Sequence, residues 1–399
     1  MITILGFFVS RAFVSIGSIL LVAAAFYQFG IRATLKRYWA VAFNRIALLL
    51  LLVSAVSILW SDNINAWQQD TVTKLSFLVL PLGFAVGGLS KMKVLKRVIY
   101  AVNIFAFITV VHSLIVYLGD VESGHAAYML HTTRYGDHIR FSFLLSLTVI
   151  FNLYLLFEKG RLLVRPEQGM LLFLSVLFFA YLHLLSARTG LLCAYTGIGA
   201  LLLVKAWQRK RVWALAVVAA GLLVPVLAVQ LSPRLADKVV FMQHEITRVK
   251  DQSAAVQYNY SDNNRILSYE AAWDNIKEYY WLGVGTGDLR DRMAATYREK
   301  FPAIPEEGIL RVPHMQVLSS AMAIGIPAGL ICIAGLIIAP LLLSYRHRLY
   351  IRINMLMMLL YFMVDAHLEI QFGILIFLFF TLLWMISDGN EVEDTGSNV

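Results

Sequence analysis

Long apolar runs dominate the chain, at about 4–29, 43–60, 71–89, 98–118, 141–157, 167–185, 189–206, 212–230, 315–344, 353–365 and 370–387. Most approach the roughly 20 residues that a helix needs to cross a bilayer core. The pattern therefore predicts an all-α polytopic membrane protein of eleven spans, or twelve if the first 29 residues fold as a broken hairpin. One insertion interrupts it: residues 231–313 are polar, charge-balanced and carry three helical patterns. In "SDNNRILSYEAAWDNIKEYYWLG", capping Ser, Asp and Asn residues precede Ile266, Tyr269, Trp273, Ile276 and Tyr280 at helical spacing, and Gly283 supplies a stop. Asp288 is the expected N-cap of a following helix that ends near Pro302. The predicted organisation is an N-terminal bundle of about eight spans (1–230), a helical external domain (231–313), C-terminal transmembrane helices (314–387) and a polar cytoplasmic tail (388–399).

Composition agrees with this pattern, since 59% of the residues are hydrophobic and only 15% charged. The alanines Ala23 to Ala25 resemble a signal-cleavage site, but Arg11 falls inside the apolar run and no basic segment precedes it. Cys193 and Cys332 both lie inside spans and behave as small hydrophobes.

The net charge of +9 changes the picture through its distribution. Basic residues cluster in every second connection: around Arg32 and Arg37, Lys91 to Arg97, Lys159 to Arg165, Lys205 to Arg211 and Arg346 to Arg352. That alternation is the positive-inside pattern, not a nucleic-acid surface, and it puts these five loops in the cytoplasm. The 61–70 segment, the 119–140 loop, "SARTG", the 231–313 domain and "DAHLE" then share the opposite face.

Candidate chemistry gathers on that opposite face. Arg188 stands in a turn almost without a loop, Arg265 in the first turn of a predicted helix, Lys74 just inside the third span, and His314 where the external domain meets an apolar run. Each alone reads as a snorkelling or solvated side chain. Together, two arginines and a lysine make a site for a diphosphate, and a neutral imidazole beside them can take a proton. Asp365, in the short turn before His367 and Glu369, is either an ion-pair partner that fixes helix register or a group that orients the site. The remaining histidines of that face, His125, His131, His138, His244 and His367, read as solvated loop residues. Gly283, Gly285 and Gly287 read as a turn that brings backbone close to a neighbour or a ligand. Arg134 and Arg140 are candidates for a second phosphate site.

Other chemistries lack their motifs. "HEITR" at 244–248 misses the second histidine of a zinc protease, and no phosphate-binding P-loop is present. No cluster has metal-ligand spacing, so no metal or cofactor is expected. A flippase or secondary transporter would place its ionisable residues near the bilayer midplane, whereas here they collect at one surface.

The motifs "SARTG" with Arg188, "NNRILSYEAAWDNI…WLGVGTGD" with Arg265 and its glycines, "PHMQVL…GIPAGL" with His314, and more weakly "TKLSFLVLPL" with Lys74 and Asp365, resemble the O-antigen ligase family. That family of inner-membrane glycosyltransferases also includes O-antigen polymerases and lipid-linked oligosaccharide transferases. The resemblance implies a C-type glycosyltransferase of the bacterial inner membrane, with its active site toward the periplasm. The enzyme would transfer a glycan from undecaprenyl pyrophosphate to a hydroxyl of the lipid A-core, with inversion and without metal. Its partners would be these two substrates and membrane lipids, and no nucleic acid. The implied roles are general base for His314 and donor pyrophosphate binding for Arg188, Arg265 and Lys74, with Asp365 and the three glycines in support. An O-antigen polymerase is the alternative within the family. One position departs from it: Met315 stands where members commonly carry Asn or a similar polar residue.

Overall fold

The computed structural model describes residues 1–86, 92–122, 138–231, 261–342 and 348–386, together with isolated positions at 130, 132, 236, 237, 239 and 240. All regular elements among these residues are helices. In chain order they are α1 (Ile2–Val9), α2 (Arg11–Ala40), α3 (Ala42–Val56), α4 (Ile64–Lys74), α5 (Ser76–Gly83), α6 (Met92–Glu122), α7 (His138–Glu158), α8 (Arg165–Leu185), α9 (Arg188–Arg209) and α10 (Arg211–Leu231). After the insertion's first part come α11 (Ser261–Glu278), α12 (Leu289–Lys300), α13 (Gln316–Ile324), α14 (Ile326–Leu342), α15 (Arg348–Phe362) and α16 (Gln371–Ile386).

Seven of these helices are long and apolar enough to cross a membrane, and α14 and α16 are shorter apolar helices. The protein is thus a multi-pass membrane protein, but several expected spans are interrupted. The first run breaks at Ser10, where Gly6 and Gly17 let α1 fold back against α2, so the first 29 residues form two helices. The third run breaks at Leu75 into α4 and α5. The run from 315 breaks at Gly325, whose φ of 84° lies in the left-handed region that favours glycine.

Helix α7 is the hub, because Phe141 to Ile150 are buried almost without exception. It packs against α8 and α9. Gly190 permits the closest approach, since a methyl there would lie 2.3 Å from Ser142 Oγ. Further along, Gly197 meets Ile150, so α7 and α9 run parallel and start at the same end. Asn103 of α6 and Asn152 of α7 exchange two amide hydrogen bonds of 2.7 and 2.8 Å, which satisfies both groups inside the bundle. At the other end of α7, Phe151 and Tyr350 stack on Trp384 and tie it to α15 and α16. Helix α10 packs on α9 and leaves Val212, Trp213, Leu215 and Leu222 exposed, as a lipid-facing helix does.

The ends of the bundle differ in charge. The Lys96–Glu167 and Lys205–Glu158 ion pairs and the bond from Tyr350 Oη to Glu158 all gather at the end that carries the basic loops. The described part of the insertion, α11 and α12, sits at the other end, where α11 packs on α12 and α13. Its first part, including His244, lies outside the described residues.

Candidate functional site

The glycine loop fastens the external helices to the bundle. Val284 and Gly285 N–H groups donate to the carbonyls of Met322 and Ala323 at the end of α13, at 2.8 and 3.0 Å. Those carbonyls would otherwise be unsatisfied at a helix C-terminus. The close approach explains the glycines: a methyl on Gly283 would meet Gly325 N at 2.5 Å, one on Gly285 would meet Ser61 Oγ at 2.3 Å, and one on Gly287 would meet Asn63 O at 2.5 Å. The neighbour to which the loop brings its backbone is therefore the protein itself. Asp288 occupies the N-cap position of α12 without capping it. Its carboxylate instead accepts from the backbone N–H groups of Asp62 and Asn63, both at 2.8 Å, at the start of α4. One loop thus fixes both α13 and α4.

His314 lies on the strap that enters α13 and is half-buried. Two residues of α11 hold its backbone: its N–H donates to Ser268 Oγ at 3.4 Å and its carbonyl accepts from Tyr269 Oη at 3.1 Å. Arg265, also half-buried, precedes these two by three and four positions and so shares their helix face. Asp365 faces the imidazole, with Oδ1 at 3.6 Å from His314 Nδ1. Its other oxygen accepts from Arg140 Nη2 at 3.0 Å and from Tyr361 Oη at 3.3 Å. Asp365 therefore pairs α7 with the 363–370 turn and faces the histidine.

Asp365 lies between α15 and α16, outside the spans. Burial pushes its carboxyl up, but the approach of His314 and the charge of Arg140 outweigh that and bring it down to about 2. It is an anion at any working pH. A carboxylate so placed orients an imidazole and stabilises the imidazolium that forms when the ring takes a proton.

Arg188 opens α9 two residues after Ser186, which holds a left-handed φ of 51° and so reverses the chain at once, with Ala187 as the N-cap between them. The contact of Gly190 with Ser142 sets Arg188 and Arg140 each two residues upstream of the same crossing, at the starts of parallel helices. Arg140 therefore pairs with Asp365 beside His314, and Arg188 starts its helix at the same end of the bundle. Arg134 lies outside the described residues, as do His125 and His131.

Lys74, read from the sequence as a snorkelling or phosphate-binding charge just inside the third span, lies in a buried ion-pair cluster. Its residue is only 4% exposed, and Nζ donates to both oxygens of Asp70 at 2.7 and 2.6 Å and to Glu369 Oε2 at 3.2 Å. Glu369 also accepts from Ser319 Oγ at 2.9 Å and Gln316 Nε2 at 3.1 Å. Burial raises its carboxyl, and Lys74 with these hydrogen bonds pulls it below the ordinary value. Gln316 completes the link, because its Oε1 accepts from Leu368 N–H at 2.6 Å. Lys74 thereby supports the turn that carries Asp365, and its charge is already taken up by two carboxylates.

His367 departs from the solvated reading altogether. It is fully buried against Tyr361, Phe143 and Phe362. Burial, helped by the charge of Arg140, lowers its pKa to about 3 and keeps it neutral. The sequence reasoning missed Asp70, Gln316, Ser268, Tyr269 and Tyr361. Of these, Asp70 had a local signal, since it stands four residues before Lys74 on a helix.

Residues 173–333, about two fifths of the chain, match the family model described as O-antigen ligase. The match runs from α8 to α14 and includes Arg188, Arg265, the glycine loop and His314. No curated protein matches the chain.

Proposed function

Because residues 173–333 match the O-antigen ligase family model, we propose that this chain transfers a glycan from undecaprenyl pyrophosphate to a hydroxyl of the lipid A-core at the periplasmic face of the inner membrane. The observation that carries the reading is the His314–Asp365–Arg140 group at the bundle end away from the basic loops. Undecaprenyl pyrophosphate is already a good leaving group, so the enzyme has to neutralise its developing charge and position a nucleophile. Arg140, Arg188 and Arg265 supply planar donors for phosphate oxygens, and they act most strongly where water is excluded. His314 accepts the proton of the acceptor hydroxyl as its oxygen bonds to the anomeric carbon. The bond from that carbon to the pyrophosphate oxygen breaks on the opposite side, and the configuration inverts. Asp365 holds the ring and offsets its new charge.

A ligase is favoured over a polymerase by the place of Arg140. A polymerase must hold two lipid pyrophosphates, and Arg140, a candidate for a second site, pairs instead with Asp365 beside His314. The test is disruption of the gene in its host, with lipopolysaccharide and undecaprenyl-linked glycan analysed separately. The expected result is core-only lipopolysaccharide with long polymer retained on the undecaprenyl carrier. Lipopolysaccharide capped with a single repeat would mean that polymerisation had been lost, and would overturn the ligase assignment.

A further inference from the structure

A polar cleft of about 110 Å³ lies beside the catalytic strap and is assigned no role by the reaction as described above. It far exceeds the roughly 10–15 Å³ that one water requires. One wall is a single face of α4, where Ala66, Gln69, Asp70 and Thr73 follow one another at helical spacing. Arg290 of α12 and Glu369 also line it, and so does Val312, two residues before His314. We propose that this cleft is the acceptor subsite, which takes an uncharged, hydroxyl-bearing sugar ring and presents its free hydroxyl to His314.

The lining chemistry selects such a ligand. Lys74 is shared by Asp70 and Glu369, and Arg290 balances the second carboxylate, so the lining holds no surplus positive charge to draw a phosphate. Sugar hydroxyls, by contrast, donate well to its carboxylates. Gln69 and Arg290 are exposed at the cleft and offer donors to ring and hydroxyl oxygens.

The placement gives the cleft its direction. Asp365 and Glu369 stand four positions apart in one turn. Asp365 pairs with Arg140 on the cationic side, and Glu369 pairs with Lys74 on the cleft side. The 312–316 strap joins the two, since His314 faces Asp365 and Gln316 bonds to Glu369. A donor pyrophosphate held by the arginines and an acceptor ring held in the cleft would meet at His314 from opposite sides, which is the arrangement an inverting displacement requires.

The assignment rests on the glycosyl-transfer reading, and its test separates the two. The full chain in detergent is supplied with undecaprenyl pyrophosphate-linked glycan and purified lipid A-core, and each is varied in turn. In the Gln69→Ala/Arg290→Ala variant the KM for lipid A-core should rise about tenfold, as expected when charge-assisted hydrogen bonds are lost. The KM for the donor should stay at its original value. Ala66→Phe, which fills the cleft, should abolish saturation by lipid A-core at unchanged donor KM. Should that variant fail to fold, the pair of exposed substitutions still decides. An unchanged acceptor KM in the double variant, or a rise in donor KM in its place, overturns the cleft assignment. Absence of transfer by the unaltered protein would overturn the ligase reading beneath it.

Discussion

Lys74 shows how burial decides what a charge can do. Taking an ammonium and a carboxylate out of water costs several kcal/mol per ion, which only close partners offset. Lys74 has two such partners, so removing it strands two buried carboxylates. Lys74→Met should destabilise the protein by about 3–5 kcal/mol, measured as loss of thermal stability in detergent. Adding Glu369→Gln should recover a large part of both stability and transfer. If Lys74 contacted the donor directly, stability would return without transfer, and the supporting role would be wrong. His314→Ala makes the contrasting case, since its loss should cost on the order of 10²–10⁴ in turnover with donor binding kept. Arg188→Ala should cost on the order of 10²–10³, and Arg188→Lys should recover little because a point charge lacks the planar fork. Near-normal turnover in His314→Ala would remove the general base from the mechanism. These charges stood out in the sequence because ionisable residues at the edges of apolar runs are rare. Their pairings did not, because Arg140 meets Asp365 across 225 positions and Gln316 meets Glu369 across 53. Such registers follow from how helices pack, which local spacing does not encode.

At the scale of elements, the site depends on breaks in helices more than on the helices themselves. Continuous spans were legible because apolar runs announce them, and α6 to α10 lie close to their predicted places. The breaks at Leu75 and Gly325 were hidden inside the same runs, because hydropathy reports burial from water and not helix continuity. Gly325 is the sharpest example, with its left-handed φ and a methyl position only 2.1 Å from Trp281 O. Gly325→Ala should destabilise by about 1–3 kcal/mol and loosen α13 from the external helices. Gly199→Ala on α9 is the control, since its methyl position is open space, and its stability should be equal or slightly higher. Equal behaviour of the two variants, read by thermal unfolding, would refute the account of the glycine loop. The 363–370 turn makes a second prediction at this scale. His367 is held neutral to about pH 3, whereas an unfolded histidine takes a proton near 6.5. The unfolded state then binds more protons, so stability should fall as pH drops from about 6.5 towards 3. Asp365, held at about 2, adds to this loss only below its unfolded value near 4. His367→Phe keeps an aromatic ring in the cage and should flatten the decline above pH 4. An unchanged slope would place the acid sensitivity elsewhere.

Across the whole molecule, the two ends of the bundle carry opposite kinds of charge chemistry. Arg140 and Glu158 mark the ends of α7 and lie roughly 27 Å apart at 1.5 Å per residue, close to the hydrocarbon thickness of a bilayer at about 30 Å. Glu158 gathers Lys205 and Tyr350 at the basic-loop end, and Arg140 gathers Asp365 at the other. If basic loops are retained in the cytoplasm, the His314 group faces the periplasm, the side on which the proposed lipid A-core acceptor would stand. Cys193 and Cys332 are both buried and can be replaced to give a cysteine-free background. Lys210→Cys, in the exposed joint between α9 and α10, and Glu299→Cys, on the exposed side of α12, then report the two faces separately. A membrane-impermeant thiol reagent should label Glu299→Cys in intact cells and Lys210→Cys only after the inner membrane is opened. Labelling of Lys210→Cys from outside would invert the molecule and put His314 with the arginines in the cytoplasm. A periplasmic acceptor would then be out of reach, and the ligase reading would fall with the topology.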